Sequence, residues 1–177
     1  MIDQALGWVG DLVRALREGL LPSMEVVLCT QAGVRYRRGK EPSLLDPGLY
    51  LYWAPFTDIN THDTVQQPGQ VEEQHLISSD GVTLSVGMAY RYRIVCPLTW
   101  DRDHVDPEES LEDAAQAAVR RLVVRSPMER LRDHRSRLDD ALLAQIKKET
   151  ADLGVEILAA RFTSLAPARV LALLGVN

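Results

Sequence analysis

Ser79-Asp80-Gly81-Val82-Thr83-Leu84-Ser85-Val86-Gly87-Met88-Ala89-Tyr90-Arg91-Tyr92-Arg93-Ile94 is the stretch that decides the fold. Val82, Leu84, Val86, Met88, Tyr90, Tyr92 and Ile94 alternate with Thr83, Ser85, Gly87, Ala89, Arg91 and Arg93. Successive side chains of a strand point to opposite faces, so this is a long ribbon with one buried and one more polar face. Asp80-Gly81 ahead of it is a hairpin-turn dipeptide, and Val71 to Ser78 reads as the partner strand.

Upstream, the period of two persists. Residues 25–30 and 49–53 read as apolar strands, and residues 33–38 as a more polar one. Asp46-Pro47-Gly48 is a turn signal in which glycine is expected to take a positive φ. Downstream, the period becomes helical. Asp106-Pro107-Glu108-Glu109 opens a helix carrying Leu111, Ala114, Ala115, Ala118, Val119 and Leu122 on one stripe. Ser126-Pro127-Met128-Glu129 opens a second, with Met128, Leu131, Leu138, Leu142, Ile146 and Leu153, stopped by Gly154. Residues 155–162 read as a returning strand. Strands first and helices after argue for an α+β fold with an antiparallel, β-rich first half.

At the N-terminus, residues 2–21 read as an amphipathic helix. Ala5, Leu6, Val9, Leu12, Val13, Leu16 and Leu20 form its stripe, bordered by Trp8, and Pro22 ends it. Asp3, Asp11, Arg14, Arg17 and Glu18 interrupt the run, so it is neither a secretory signal nor a conventional membrane span. The expected organisation is a helix over 1–22, one domain over 23–167 and a short apolar tail over 168–177.

The 177-residue chain suits a single domain with a short appendage. Acidic residues outnumber basic ones by 25 to 20, a net charge of −5 that offers no general attraction for nucleic acid or anionic lipid. Cys29 and Cys96 lie in apolar runs without metal or redox spacing. They are expected to be buried, inert thiols of a reducing compartment.

Several segments together resemble the stomatin/prohibitin/flotillin (SPFH, or band 7) family. These are Ala32-Gly33-Val34-Arg35 with Arg38-Gly39-Lys40, Leu45-Asp46-Pro47-Gly48-Leu49-Tyr50 with Ala54-Pro55-Phe56, and Ser79-Asp80-Gly81-Val82-Thr83-Leu84. Tyr90-Arg91-Tyr92-Arg93-Ile94 before Cys96-Pro97, Met128-Glu129-Arg130, and Gly154-Val155-Glu156-Ile157-Leu158 complete the series. Their order and spacing carry the resemblance, since no single motif is specific. It implies a non-enzymatic, membrane-associated scaffold that organises membrane patches or regulates membrane proteins by self-association and partner binding. The usual membrane span and C-terminal coiled coil of the family are not seen, so self-association in dilute solution is expected to be weak.

Candidate contact residues are Leu6, Trp8, Val9, Val13, Leu16 and Leu20, facing either the inner surface of a membrane in the cytoplasm or a protein. In the second case the chain is a soluble adaptor, with the helix docked on the domain or on a neighbouring subunit. Arg120, Arg121, Arg125, Arg130, Arg132, Arg135 and Arg137 crowd the helix–helix junction. Of these, Arg121, Arg125 and Arg132 form a candidate patch for lipid headgroups or an acidic partner; the alternative is a solvated helix face with intrahelical ion pairs. His62-Asp63, and His104 with Asp101, Asp103 and Asp106, are the nearest approach to a metal or acid–base site, but match no ligand spacing. Cys29 would need a base and an orienting group to act as a nucleophile. No catalytic residue, cofactor or metal is therefore expected.

Overall fold

The computed structural model describes residues 22–133 and 135–168. The expected N-terminal helix, with Leu6, Trp8, Val9, Val13, Leu16 and Leu20, lies outside the described residues, as does the tail over 170–174. The chain divides into two compact units, Met1–Val65 and Gln66–Asn177.

Five strands build the first unit: β1 (Ser23–Val27), β2 (Gln31–Arg37), β3 (Ser43–Leu45), β4 (Gly48–Tyr52) and β5 (Thr57–Asp63). β1 pairs with β4 as a two-stranded antiparallel ribbon, while β2 lies between β3 and β5. Val27, Leu45 and Ile59 form the small core, with Tyr50 and Tyr52 against it. β3 and β5 were not expected from the sequence. The reading of Gly48 as a positive-φ turn residue is also corrected: positive φ falls at Gly39, Gly81 and Gly154, and Gly48 begins β4 opposite Val27. The reason is topological. β3 and β4 pair with different partners, so Asp46-Pro47 carries the chain from one sheet to another instead of reversing it in a hairpin.

The second unit is an antiparallel sheet with β7 (Thr83–Ile94) between β6 (Gln67–Ile77) and β8 (Val155–Pro167). Leu84, Val86, Met88, Tyr90, Tyr92 and Ile94 are all buried, as the alternation requires. Helices α1 (Pro97–Arg102), α2 (Pro107–Val124), α3 (Met128–Asp133) and α4 (Arg135–Glu149) come between β7 and β8. Leu111, Ala115, Ala118, Val119 and Val123 of α2 and Leu138, Leu142 and Ile146 of α4 join the same core as the β7 side chains. The Asp106 carboxylate caps α2 by accepting from Glu109 N at 3.1 Å. The mixed α+β order is thus the one expected. One detail differs: α1 was not foreseen.

The β6–β7 connection spans residues 78–82, longer than the two-residue turn first read there. Gly81 has φ +82° and open space around it, so a side chain would be strained only by the backbone angle. Gly81→Val is expected to cost about 1–3 kcal/mol, read as a lower denaturant midpoint; an unchanged midpoint would contradict the assignment.

Asp80 does more than turn the chain. It accepts from the Ser78 hydroxyl, and its Oδ2 accepts from Met128 N at 3.0 Å, so it ties the loop to the start of α3. These bonds, with the Ser78 one dominant, hold its carboxyl below the usual 3.8. A depressed carboxylate contributes stability above its unfolded pKa and loses it as pH falls through the lower folded value. Asp80→Ala is therefore expected to lower the midpoint at neutral pH, with the gap to the wild type closing on acidification below 3.8. A gap independent of pH would contradict this.

Candidate functional site: an apolar ribbon face and an arginine-lined hollow

β-strand alternation sorts the ribbon of the first unit into two faces. Glu25, Val27, Tyr50 and Tyr52 do not share a face with Met24, Val26, Leu49 and Leu51. In register, Met24 stands opposite Leu51 and Val26 opposite Leu49. These four apolar side chains are exposed by 62%, 69%, 50% and 60% respectively, although large hydrophobics paired across strands are ordinarily the buried side of a sheet. Leu28 and Trp53, just beyond the two strands, are exposed as well, as is Phe56. Exposed apolar patches of this kind are characteristic of contact surfaces.

Basic residues border one end. Arg38 N donates to Phe56 O at 3.0 Å, and Lys40 N to Arg37 O at 3.0 Å, so the Arg37-Arg38-Gly39-Lys40 loop lies against the segment after β4. Arg37, Arg38 and Lys40 are exposed. A hollow of about 280 Å³ there is lined by Arg35, Arg37, Leu51, Trp53 and Phe56 among others. Aromatic side chains beside cationic ones are the composition favoured at a lipid–water boundary. Sequence reading missed this surface. Its signal was a pair of strands apolar on both faces, Met24-Glu25-Val26-Val27-Leu28 and Leu49-Tyr50-Leu51-Tyr52-Trp53.

The helix-junction arginines of the second unit are in part brought together. Arg121, Arg125, Arg130 and Arg137 line one hollow of about 320 Å³. Arg132 is exposed and is not part of that lining. Arg121 Nη1 is paired with Glu149 Oε1 at 2.5 Å, and Gln145 Nε2 donates to the same oxygen at 2.7 Å.

Two of the residues considered for chemistry make structural contacts. Asp106 caps α2, and Asp103 pairs with Arg102 at 2.7 Å, an ion pair that pulls its carboxyl below the usual range. Among the described residues no group of three or more His, Cys, Asp or Glu side chains is placed to hold a metal ion. The expectation that both thiols are buried is corrected. β1 ends at Val27, which leaves Cys29 exposed in the turn, and Cys96 is half-buried. Cys96 Sγ lies 3.2 Å from Thr99 Oγ1, a hydrogen bond that lowers the thiol pKa below its usual value. Among the described residues, no helix is long and apolar enough to cross a membrane.

The comparisons agree with the fold. A protein of Archaeoglobus fulgidus described as an uncharacterized protein is 24% identical over 152 residues, 86% of this chain and 61% of the relative. The chain thus spans less than two thirds of that relative's length. The profile of the SPFH domain / Band 7 family matches residues 26–172, which include the end of β1, strands β2 to β8 and all four helices described above. The chain belongs to the SPFH domain / Band 7 family.

Proposed function

We propose that this protein is a non-enzymatic scaffold that sits peripherally on the cytoplasmic face of a membrane, using the apolar face of the β1–β4 ribbon as its lipid contact. Members of the family are generally membrane-associated and self-associating, and generally not enzymes. The observation that carries the reading is the exposure of Met24, Val26, Leu49 and Leu51 on one face beside Trp53, Phe56 and the basic loop. Removing the still-exposed part of four such side chains from water contributes about 1 kcal/mol each, or on the order of 10³ in partitioning. The amphipathic stripe over residues 2–21 supplies further apolar contact in the same reading.

A second reading is favoured by the order of the chain. The amphipathic stripe ends immediately before β1, so the segment can reach the ribbon and cover it, on its own or a neighbouring subunit. The protein would then be a soluble adaptor. Flotation of the full-length chain with phosphatidylcholine vesicles separates the two. Recovery in the lipid layer is expected; a chain left wholly in the aqueous layer would favour the adaptor.

A further inference from the structure

We propose that the hollow formed by α2, α3 and α4 is a binding site for a phosphate-bearing anion, either a soluble phosphorylated compound or a lipid headgroup. Four arginines, Arg121, Arg125, Arg130 and Arg137, line one cavity in a chain whose net charge is −5. Among the described residues no carboxylate lines it, and among the described side chains only Arg121 of the four has a carboxylate partner. Like charges gathered in one hollow repel, so their grouping needs a local reason.

The helix dipole supplies one for two of them. Arg121 is in the last turn of α2 and Arg125 is its C-cap, where a cation meets the negative helix end. That reason does not extend to Arg137. It comes, like Arg130, from the helical segments that follow the end of α2. An anion seated in the hollow would neutralise this excess.

The side-chain chemistry narrows the ligand class. Arginine presents a planar fork of donors that meets phosphate oxygens in pairs, which the compact ammonium of lysine cannot do. All four basic residues are arginine. Leu122 and Leu138 add apolar wall, and Ser126 is buried among them. The volume of about 320 Å³ admits a small phosphorylated group and not a folded partner.

The test uses the full-length chain with two probes. Inorganic pyrophosphate is titrated calorimetrically, and flotation is compared on phosphatidylcholine vesicles with and without a phosphoinositide. Pyrophosphate is expected to bind the wild type and to bind Arg125→Gln/Arg130→Gln about a hundredfold more weakly. Arg120→Gln, an exposed position outside the lining, is expected to stay within about threefold of the wild type. Because the altered residues are exposed, the melting temperature of each unliganded variant is expected to match the wild type. Pyrophosphate binding without a phosphoinositide-dependent gain in flotation assigns a soluble ligand. A gain without pyrophosphate binding, lost in the double variant, assigns a lipid headgroup, and both responses together support a site that takes either source. Binding of neither probe, or binding that the double variant retains, would overturn the proposal. Flotation on phosphatidylcholine alone reports the ribbon, so failure of one reading is distinguishable from failure of the other.

Discussion

Val26→Glu/Leu51→Glu is expected to leave the full-length chain in the aqueous layer under conditions where the wild type floats with vesicles. Both side chains lie on the exposed face of the ribbon and both are half-exposed or more. The double change removes about 2 kcal/mol of apolar transfer and sets two carboxylates where the acyl boundary would lie. A loss of partitioning on the order of 10²-fold or more follows. The core of the first unit, Val27 with Leu45 and Ile59, is on the other side of the ribbon, so circular dichroism and melting temperature are expected to change little. Undiminished flotation of this variant would assign membrane contact to another part of the chain.

Gly154→Val is expected to destabilise the second unit more than any other single change considered. Gly154 sits at φ +71°, where a β-branched residue is strained, and its carbonyl accepts from both Val95 N and Cys96 N. A Cβ placed there would stand 2.7 Å from the Cys96 carbonyl oxygen, a backbone atom that cannot swing aside, and 3.1 Å from Thr99 Cβ. Strain of about 1–3 kcal/mol adds to the cost of displacing the start of α1 from the β7–β8 junction. The sum, about 3 kcal/mol or more, is a large share of the 5–15 kcal/mol typical of a domain. The expected result is a much lower denaturant midpoint by Trp100 fluorescence; a shift under about 1 kcal/mol would contradict this role for the glycine.

The second unit was largely legible because its elements carry strong periodicity. β7 alternates over its whole length, and most of the stripe residues on α2 and α4 are buried, with Ala114 and Leu122 half-buried. What escaped was held by pairing and not by pattern. β5 reads Thr-Asp-Ile-Asn-Thr-His-Asp, in which Asp and Asn offset the strand-favouring Thr and Ile and only one apolar residue is buried, and it holds a seven-residue register with β2. α1 is six residues long, too short to show a helical period. Asp80 read correctly as a turn residue, but its bond to Met128 spans a separation of 48 residues that no local signal encodes.

The candidate surfaces show the same divide. A strand that is apolar on both faces, such as β4, does not say which face stays in water, and the thiol of Cys29 was misplaced because β1 ends at Val27, before it. The arginine cluster was visible as a count. Which of its members converge depends on how the helices pack, and only Arg121, Arg125, Arg130 and Arg137 line the hollow while Arg132 lies outside its lining.

A spin label on Leu51→Cys, in a Cys29→Ser/Cys96→Ser background, tests ribbon-mediated membrane contact most directly. A second label on Glu25→Cys, the strand neighbour on the other face, serves as reference. On addition of phosphatidylcholine vesicles, the label at position 51 is expected to gain accessibility to oxygen and lose accessibility to a polar nickel complex. The label at position 25 is expected to change far less. A protein that floats with the vesicles while the label at position 51 stays as accessible to the nickel complex as in water would contradict it.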